Sequence, residues 1–466
     1  MPKLAALVIL AVLASSCRSE KPATPPPPQG SATAQPKAKA KAIAFIEDDY
    51  PRALALAREK GLPIFVDSWA PWCHTCRAMN ANVFPDPALA VHAERFVWLS
   101  IDTEKEENAA FLSRFPQQVW PTLLVVDPTE EKAVLRWQGS ATVSQLEELL
   151  VDAERAARQV DPGEGKALEL RLAAADRLYG EGKIDEAIVA FEALLEEAEE
   201  GWARRARAVE SLLAAKAIGR RDSKGCAELA LRELQALPRS SSWANIASLG
   251  LFCSLRLDQP PASWLEEAVS PLEARAREAL GEPAIEIAAD DRSGLYDSLV
   301  AARELAGDEA GKKKVAAEWL AFLEGAAAKE ADPDARSVYD SHRIGAAMLI
   351  GEPERVVGAL RESEEALPND YNPPARLAVV YHRMDRLDDA IAASDRALKL
   401  VYGPRKVRVL NERGAILVAK GDRDGGRRAY EEARSLALSL SASQRPRREL
   451  ERAEARLEAL ASEAGP

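Results

Sequence analysis

The sequence predicts two folded parts of different class: a mixed α/β domain over residues 43–160 and an all-α helical array over 165–466. Three observations carry this. An apolar run (Ile64, Phe65, Val66) ends at the turn signal Ala70-Pro71 and leads into Trp72-Cys73-His74-Thr75-Cys76 and a helical stretch. Beyond Gly163-Glu164-Gly165, alanine, leucine, glutamate and arginine dominate and β-type runs vanish. Within that region Gly-Asp and Gly-Lys turns recur between helical stretches. At 466 residues the chain is long enough for both parts and a tether. Its net charge of −12 argues against nucleic acid as a partner.

The elements follow in order. Met1 to Cys17 places Lys3 before an apolar run from Leu4 to Leu13, too short to span a bilayer, so it reads as a signal peptide. Ala14-Ser15-Ser16-Cys17 resembles a bacterial lipoprotein box. The resemblance implies lipidation of Cys17, a membrane anchor and, because Arg18 follows rather than aspartate, the outer membrane. An ordinary secretory peptide is the alternative. Residues 18–42 are rich in proline, alanine and lysine and cannot build a core. They read as a tether reaching at most roughly 75 Å, at ~3 Å per residue.

In the first domain Ala44 to Lys60 has helical spacing and stops at Gly61. The strand, turn and Cys-x-x-Cys helix follow, broken at Asn82 to Pro87. A short helix (Ala88–Ala93), a strand (Phe96–Ile101) and a polar helix (Glu104–Phe115) come next. Two strand runs (Leu123–Val126, Ala133–Trp137) and a last helix (Val143–Arg158) complete the domain. A cysteine at a helix start feels the positive end of the dipole, which stabilises its thiolate. Two intervening residues let a second cysteine reach back and close a disulfide.

Trp72-Cys73-x-x-Cys76 does not stand alone. Asp67 lies six residues before Cys73, Trp120-Pro121-Thr122-Leu123 precedes a strand, and Gly139 follows the next one. With these features residues 43–160 resemble the thioredoxin superfamily. Val83-Phe84-x-Asp86-Pro87 looks like its periplasmic thiol–disulfide interchange branch. The resemblance implies an α/β thioredoxin fold. It makes Cys73 the attacking thiolate and Cys76 the resolving thiol, with exchange through a mixed disulfide. Asp67 becomes a buried acid of raised pKa that takes the Cys76 proton. Pro121, in cis, would set the loop beside the substrate and keep metal off the cysteines. Trp72, His74, Trp120 and Thr122 would line the substrate site. The basic partner many members give the buried acid is missing, since Trp98, Leu99 and Ser100 offer no base. His74 between the cysteines favours an oxidant and Asp67 a reductant, so the direction stays open. An inert structural disulfide is the bland alternative. The cysteine pair carries the electrons itself, so no cofactor is expected. No second Cys-x-x-Cys or histidine cluster suggests a metal. His92, His342 and His382 are expected in surface or local packing, and Trp69 and Trp137 in the core.

The second part resembles tetratricopeptide (TPR) repeats: Ala175, Leu178, Gly182, Ala187 and Phe191 fit one unit. Gly351, Leu360 and Pro368 fit the end of another, Ala378, Tyr381, Ala390 and Ala397 a third, and Gly414, Leu417, Gly421, Tyr430 and Ala433 a fourth. Small residues let paired helices approach and large ones fill the holes. Matches fade between 200 and 330, and Arg445 to Ala461 reads as a capping helix. The resemblance implies a solenoid that binds a peptide or protein on its concave face. Cys226 and Cys253 fall on neighbouring helices and are either a structural disulfide or two buried thiols. The whole reads as a lipid-anchored periplasmic thiol–disulfide oxidoreductase that exchanges with thiol- or disulfide-bearing clients and a redox donor or acceptor. The alternative is a non-enzymatic scaffold or chaperone-like adaptor.

Overall fold

The chain enters its first helix at Asp49, whose carboxylate accepts the Arg52 N–H (3.0 Å) as N-cap. Pro51 fits the first turn, where a missing N–H costs nothing. The helix expected from Ala44 is therefore a short strand, Ile46–Glu47 (β1), and then Tyr50–Lys60 (α1). Gly61 ends α1 at φ +64°, a conformation open to glycine. The computed structural model describes residues 43–158 and 167–462. The signal-peptide reading of 1–17, with the lipidation of Cys17, and the tether at 18–42 lie outside them.

Ile64–Trp69 (β2), His74–Ala78 (α2), Val97–Asp102 (β3) and Ala109–Arg114 (α3) follow, then Thr122–Asp127 (β4), Lys132–Gln138 (β5) and Val143–Arg158 (α4). The helix expected at Ala88–Ala93 is a 3-10 turn, Pro87–His92, and the polar helix begins as a 3-10 turn at Glu106–Asn108. The five strands lie in the order β1-β3-β2-β4-β5. β1, β3 and β2 run parallel, and β4 and β5 antiparallel. β2 is buried nearly end to end because helices cover both faces. Its period-2 alternation still sorts the side chains. Phe65 enters one core with Trp98, Leu123 and Leu146, while Ile64 and Val66 enter the other with Leu99, Ile101 and Phe111.

Beyond residue 166 the chain is helical, as expected. Ala167–Gly180 (α5), Ile184–Glu197 (α6), Arg205–Ala214 (α7), Ser223–Ala236 (α8) and Ser241–Ser254 (α9) come first. Ser270–Gly281 (α10), Ala289–Leu305 (α11), Glu309–Ala327 (α12), Pro333–Ser337 (α13) and Asp340–Ile350 (α14) follow. Val357–Ala366 (α15), Asn372–Arg383 (α16), Leu387–Leu400 (α17), Gly403–Ala419 (α18), Arg423–Ser439 (α19) and Arg447–Ser462 (α20) complete the array. One device starts three of these helices. Asp222, Asp308 and Asp422 each cap by accepting the N–H of the glycine three residues on (2.9, 2.8 and 2.8 Å). The small-against-large packing is visible at Gly414, where a Cβ would lie 2.6 Å from the Tyr430 ring. The faded region holds π-helical segments at Ala215–Arg220 and Leu265–Val269, which break the 34-residue pattern. Cys226 and Cys253 are disulfide-bonded between α8 and α9 (Cα–Cα 6.0 Å), deep in the helical core. α20 packs on α19 as the expected cap.

Residues 41–466 form one compact unit, not two independent bodies. α5 packs along β5, with the Tyr179 hydroxyl donating to Gln138. The buried Arg207 bridges Asp176 of the array (2.7 Å) and Asp152 of α4 (3.4 Å). At the far end Gln444 Nε2 donates to the carbonyls of Thr103 (3.1 Å) and Lys105 (2.7 Å). The array is thus packed against the chain's own first domain.

Candidate active site

β2 runs into the Ala70-Pro71 turn, and the Ala70 carbonyl accepts the Cys73 N–H (3.0 Å). Cys73 is the N-cap of α2, and the Cys76 N–H donates to its sulfur (3.1 Å). A backbone donor aimed at sulfur favours the thiolate over the thiol. The two cysteines form a disulfide (Cα–Cα 5.3 Å). Both residues are shielded, at 3% and 0% exposure, under Trp69, Trp72 and Trp120. Trp69, expected in the core, in fact packs on the cysteines. Trp137 is a core residue, its indole donating to the Ser140 carbonyl (2.8 Å).

The Trp72 and Trp120 rings stand 5.2 Å apart and form the expected aromatic rim. Their indoles are fixed by Glu104 Oε1 (2.7 Å) and Thr103 Oγ1 (2.8 Å). The Trp120–Pro121 bond is cis. Thr122 departs from expectation. It is fully buried and its hydroxyl donates to the Val119 carbonyl (2.7 Å), so it shapes the proline loop and has no face for substrate.

Asp67 sits on β2 at 1% exposure, with Oδ1 unpartnered. Burial, reinforced by the Glu47 carboxylate, pushes its pKa up to about 7. The sheet register explains this pairing of acids. Ser100 of β3 is matched with Asp67 on one side and Glu47 on the other, so the place where a base could sit is a small hydroxyl. An acid near neutral pKa can take a proton at little cost in either direction.

His74, expected to line the substrate site, is tied to the array and keeps 30% of its side chain exposed. Its Nδ1 lies 2.5 Å from Asp290 Oδ1 on α11, and the Thr75 hydroxyl donates to Asp290 Oδ2 (2.6 Å). Its ring packs on His342 of α14 at 4.0 Å, so His342 joins the site instead of the remote packing expected for it. Burial would raise the Asp290 carboxyl, but His74, His342 and Thr75 hold it below its ordinary value. Burial and the neighbouring His74 push His342 down to about 4. His92 and His382 are in local packing, the first buried and the second 2.7 Å from Glu412. Arg77 of α2 is clamped by Asp370 and by Asp334 (2.8 Å), and Asn372 Nδ2 donates to the Pro71 carbonyl (3.0 Å). The array thereby holds the redox helix from three of its own helices and the loop before α16.

His74, Asp290 and His342 are the one trio among the described residues whose ligand atoms converge, within 4.8 Å of one another. Tetrahedral zinc would hold its nitrogen and oxygen ligands about 3.3 Å apart. At 2.5 Å His74 Nδ1 and Asp290 Oδ1 are hydrogen-bonded, while His342 packs on the His74 ring with its own Nδ1 2.5 Å from the Ser293 hydroxyl, so in this arrangement the three residues clamp the redox helix to the array.

Residues 45–128 match the family model described as thioredoxin-like. Residues 45–128 are a thioredoxin-like domain. It is similar to the thiol:disulfide interchange protein DsbD of Pseudoalteromonas atlantica, 33% identical over 82 residues, 17% of this chain and 14% of that one. DsbD 2 of Pseudomonas aeruginosa is 31% identical over 91 residues, 19% of this chain and 16% of that one. The chain thus spans under a fifth of these curated relatives. A tetratricopeptide repeat protein from Parabacteroides merdae aligns over 62% of this chain and all of that structure at 12% identity and a TM-score of 0.39. The TPR-like character of residues 167–462 rests on their own helix pairs.

The thioredoxin-like domain's sequence marks Cys73, Cys76, Asp67 and Pro121. Glu104, Asp290, His342, Asp370 and Arg405, whose guanidinium lies over the Trp72 ring, were not legible. They reach the site from 28 to 332 residues beyond Cys73 or Cys76, outside any local pattern.

Proposed function

We propose that this protein is a thiol–disulfide oxidoreductase on the periplasmic side of a bacterial envelope, anchored through lipidated Cys17. The carrying observation is Cys73 as N-cap of α2, with the Cys76 N–H on its sulfur and the near-neutral Asp67 in the same domain. In the reducing direction the Cys73 thiolate attacks a client disulfide and expels one client thiolate. Cys76 then gives up its proton, attacks Cys73 and releases the second client thiolate, leaving the Cys73–Cys76 disulfide. Two electrons pass from the pair to the client, and no cofactor enters. In the oxidising direction the steps reverse. The periplasmic location rests on the signal-like N-terminus, the Cys226–Cys253 disulfide and the interchange-protein relatives. The array positions the redox helix and presents surface for a client or redox partner.

The near-complete burial of both redox cysteines favours a second reading, a scaffold whose disulfide is inert. Equilibration with glutathione separates the two. The enzyme exchanges, and Cys73→Ser reduces exchange to the uncatalysed background. A potential near about −270 mV marks a reductant and one near about −120 mV an oxidant. A pair that never exchanges at neutral pH sinks the enzyme.

A further inference from the structure

A groove of about 350 Å³ lies between the thioredoxin-like domain and the end of the array, at the lower end of the size range of ligand sites. Trp72 and Trp120, which also cover Cys73, form one wall, so the groove begins at the redox centre. The facing wall carries Arg405, Arg408 and Arg445. The Arg405 guanidinium lies over the Trp72 ring, 5.0 Å from its centre. Arg405 and Arg408 are neighbours that repel each other, and burial with this repulsion pushes Arg405 down to about 10, still charged at neutral pH. Among the described residues neither guanidinium has a carboxylate within 4.0 Å. The acids in the groove are already committed. Glu104 accepts from the Trp72 indole and the Arg405 backbone N–H (2.6 Å), and Glu449 from Asn411 (2.9 Å). Burial also pushes Glu104 up to about 7, which mutes its charge. Gln117, in the same lining, has both side-chain amide atoms buried without a partner. A partly buried guanidinium whose acidic neighbour Glu104 makes no ion pair with it within 4.0 Å, and an unmet amide, are each costly, and a ligand that supplies both partners removes both costs.

We propose that this groove is the client subsite, and that it selects an extended polypeptide with aspartate or glutamate flanking its reactive cysteine. The carboxylate meets Arg405 and Arg408, a client peptide group meets Gln117, and Trp72 and Trp120 bracket the disulfide presented to Cys73. This rests on the redox reading of Cys73 above.

The test uses the full chain, reduced with dithiothreitol and freed of it. Two synthetic disulfide peptides differ only in glutamates or lysines beside the cysteine. Oxidation of the protein by each is followed through tryptophan fluorescence. The acidic peptide should react about tenfold faster at low salt, and the advantage should shrink as salt screens it. In Arg405→Gln/Arg408→Gln the ratio should fall towards one. The exposed Arg408→Gln alone should give an intermediate ratio, which keeps the test usable should the double variant misfold. A wild-type ratio near one, or a variant that keeps the full ratio, overturns the proposal. If glutathione disulfide, which carries carboxylates on short γ-linked tripeptides instead of an extended chain, shows the same dependence on both arginines, the extended-polypeptide occupant is wrong. If neither disulfide peptide oxidises the reduced wild type and neither reduced peptide is oxidised by the protein's disulfide form, the redox reading is refuted instead, which is told apart from failure of the groove.

Discussion

The two cysteine pairs are both buried, yet they sit in opposite surroundings. Cys226 and Cys253 join adjacent helices within the apolar core of the array, 27 residues apart in sequence. Cys73 and Cys76 are three residues apart at a helix start, with a backbone N–H on the first sulfur, tryptophans above and charged groups of the array clamping the helix. Low exposure alone therefore does not mark a cysteine as inert. What differs is whether the environment stabilises a thiolate, which needs donors and positive potential. An apolar core supplies neither, and closing a long loop there stabilises the fold without inviting exchange.

That contrast can be broken by experiment. Replacing Cys226 and Cys253 by alanine should lower stability by about 3–4 kcal/mol, from the chain entropy of a loop of this length. Exchange at Cys73 should be unchanged. Urea unfolding and a glutathione exchange assay on the same protein check both halves, and a loss of exchange would erase the distinction between the pairs. Gly403→Ala should act the other way. Its Cβ would stand 2.0 Å from the Glu104 carbonyl oxygen, at a φ of +60°, so the seam beside Trp72 must open. We expect a cost of about 1–3 kcal/mol, with altered exchange at Cys73, read by urea unfolding and the same assay. A third test is pH. Burial pushes Glu104, Glu210 and Asp291 up to about 7 each, and all three lie where the halves meet. Unfolded, they would titrate near about 4, so between roughly pH 4 and 7 the folded state binds more protons. Their contribution is complete below that window and lost as pH rises through 7. The melting temperature should therefore be higher at pH 5 than at pH 8, and Glu210→Gln with Asp291→Asn should flatten the difference.

The redox core was legible because it is local. Cys73, Cys76 and Asp67 lie within ten residues on one strand and the helix it feeds, and the strand periodicity places them. Thr122 was misread because proximity to Pro121 in sequence does not say which way a side chain points. The tie of His74 to the array was not legible because its partner, Asp290, is 216 residues away. The first helix was overextended because apolar spacing outweighed the Asp49-Tyr50-Pro51 start signal.

The amino-acid sequence by itself determined the two fold classes and the Cys-x-x-Cys chemistry, through short-range pattern and spacing, and the buried acid Asp67 through the family resemblance. Only the tertiary structure decided that the array wraps its own redox domain, clamps His74 and Arg77, and lays Arg405 on Trp72. Those contacts join segments hundreds of residues apart. They pair groups that no local pattern encodes, and apolar side chains packed across the same seam, Ala78 and Ala173 among them, supply burial that offsets the cost of desolvating the charges.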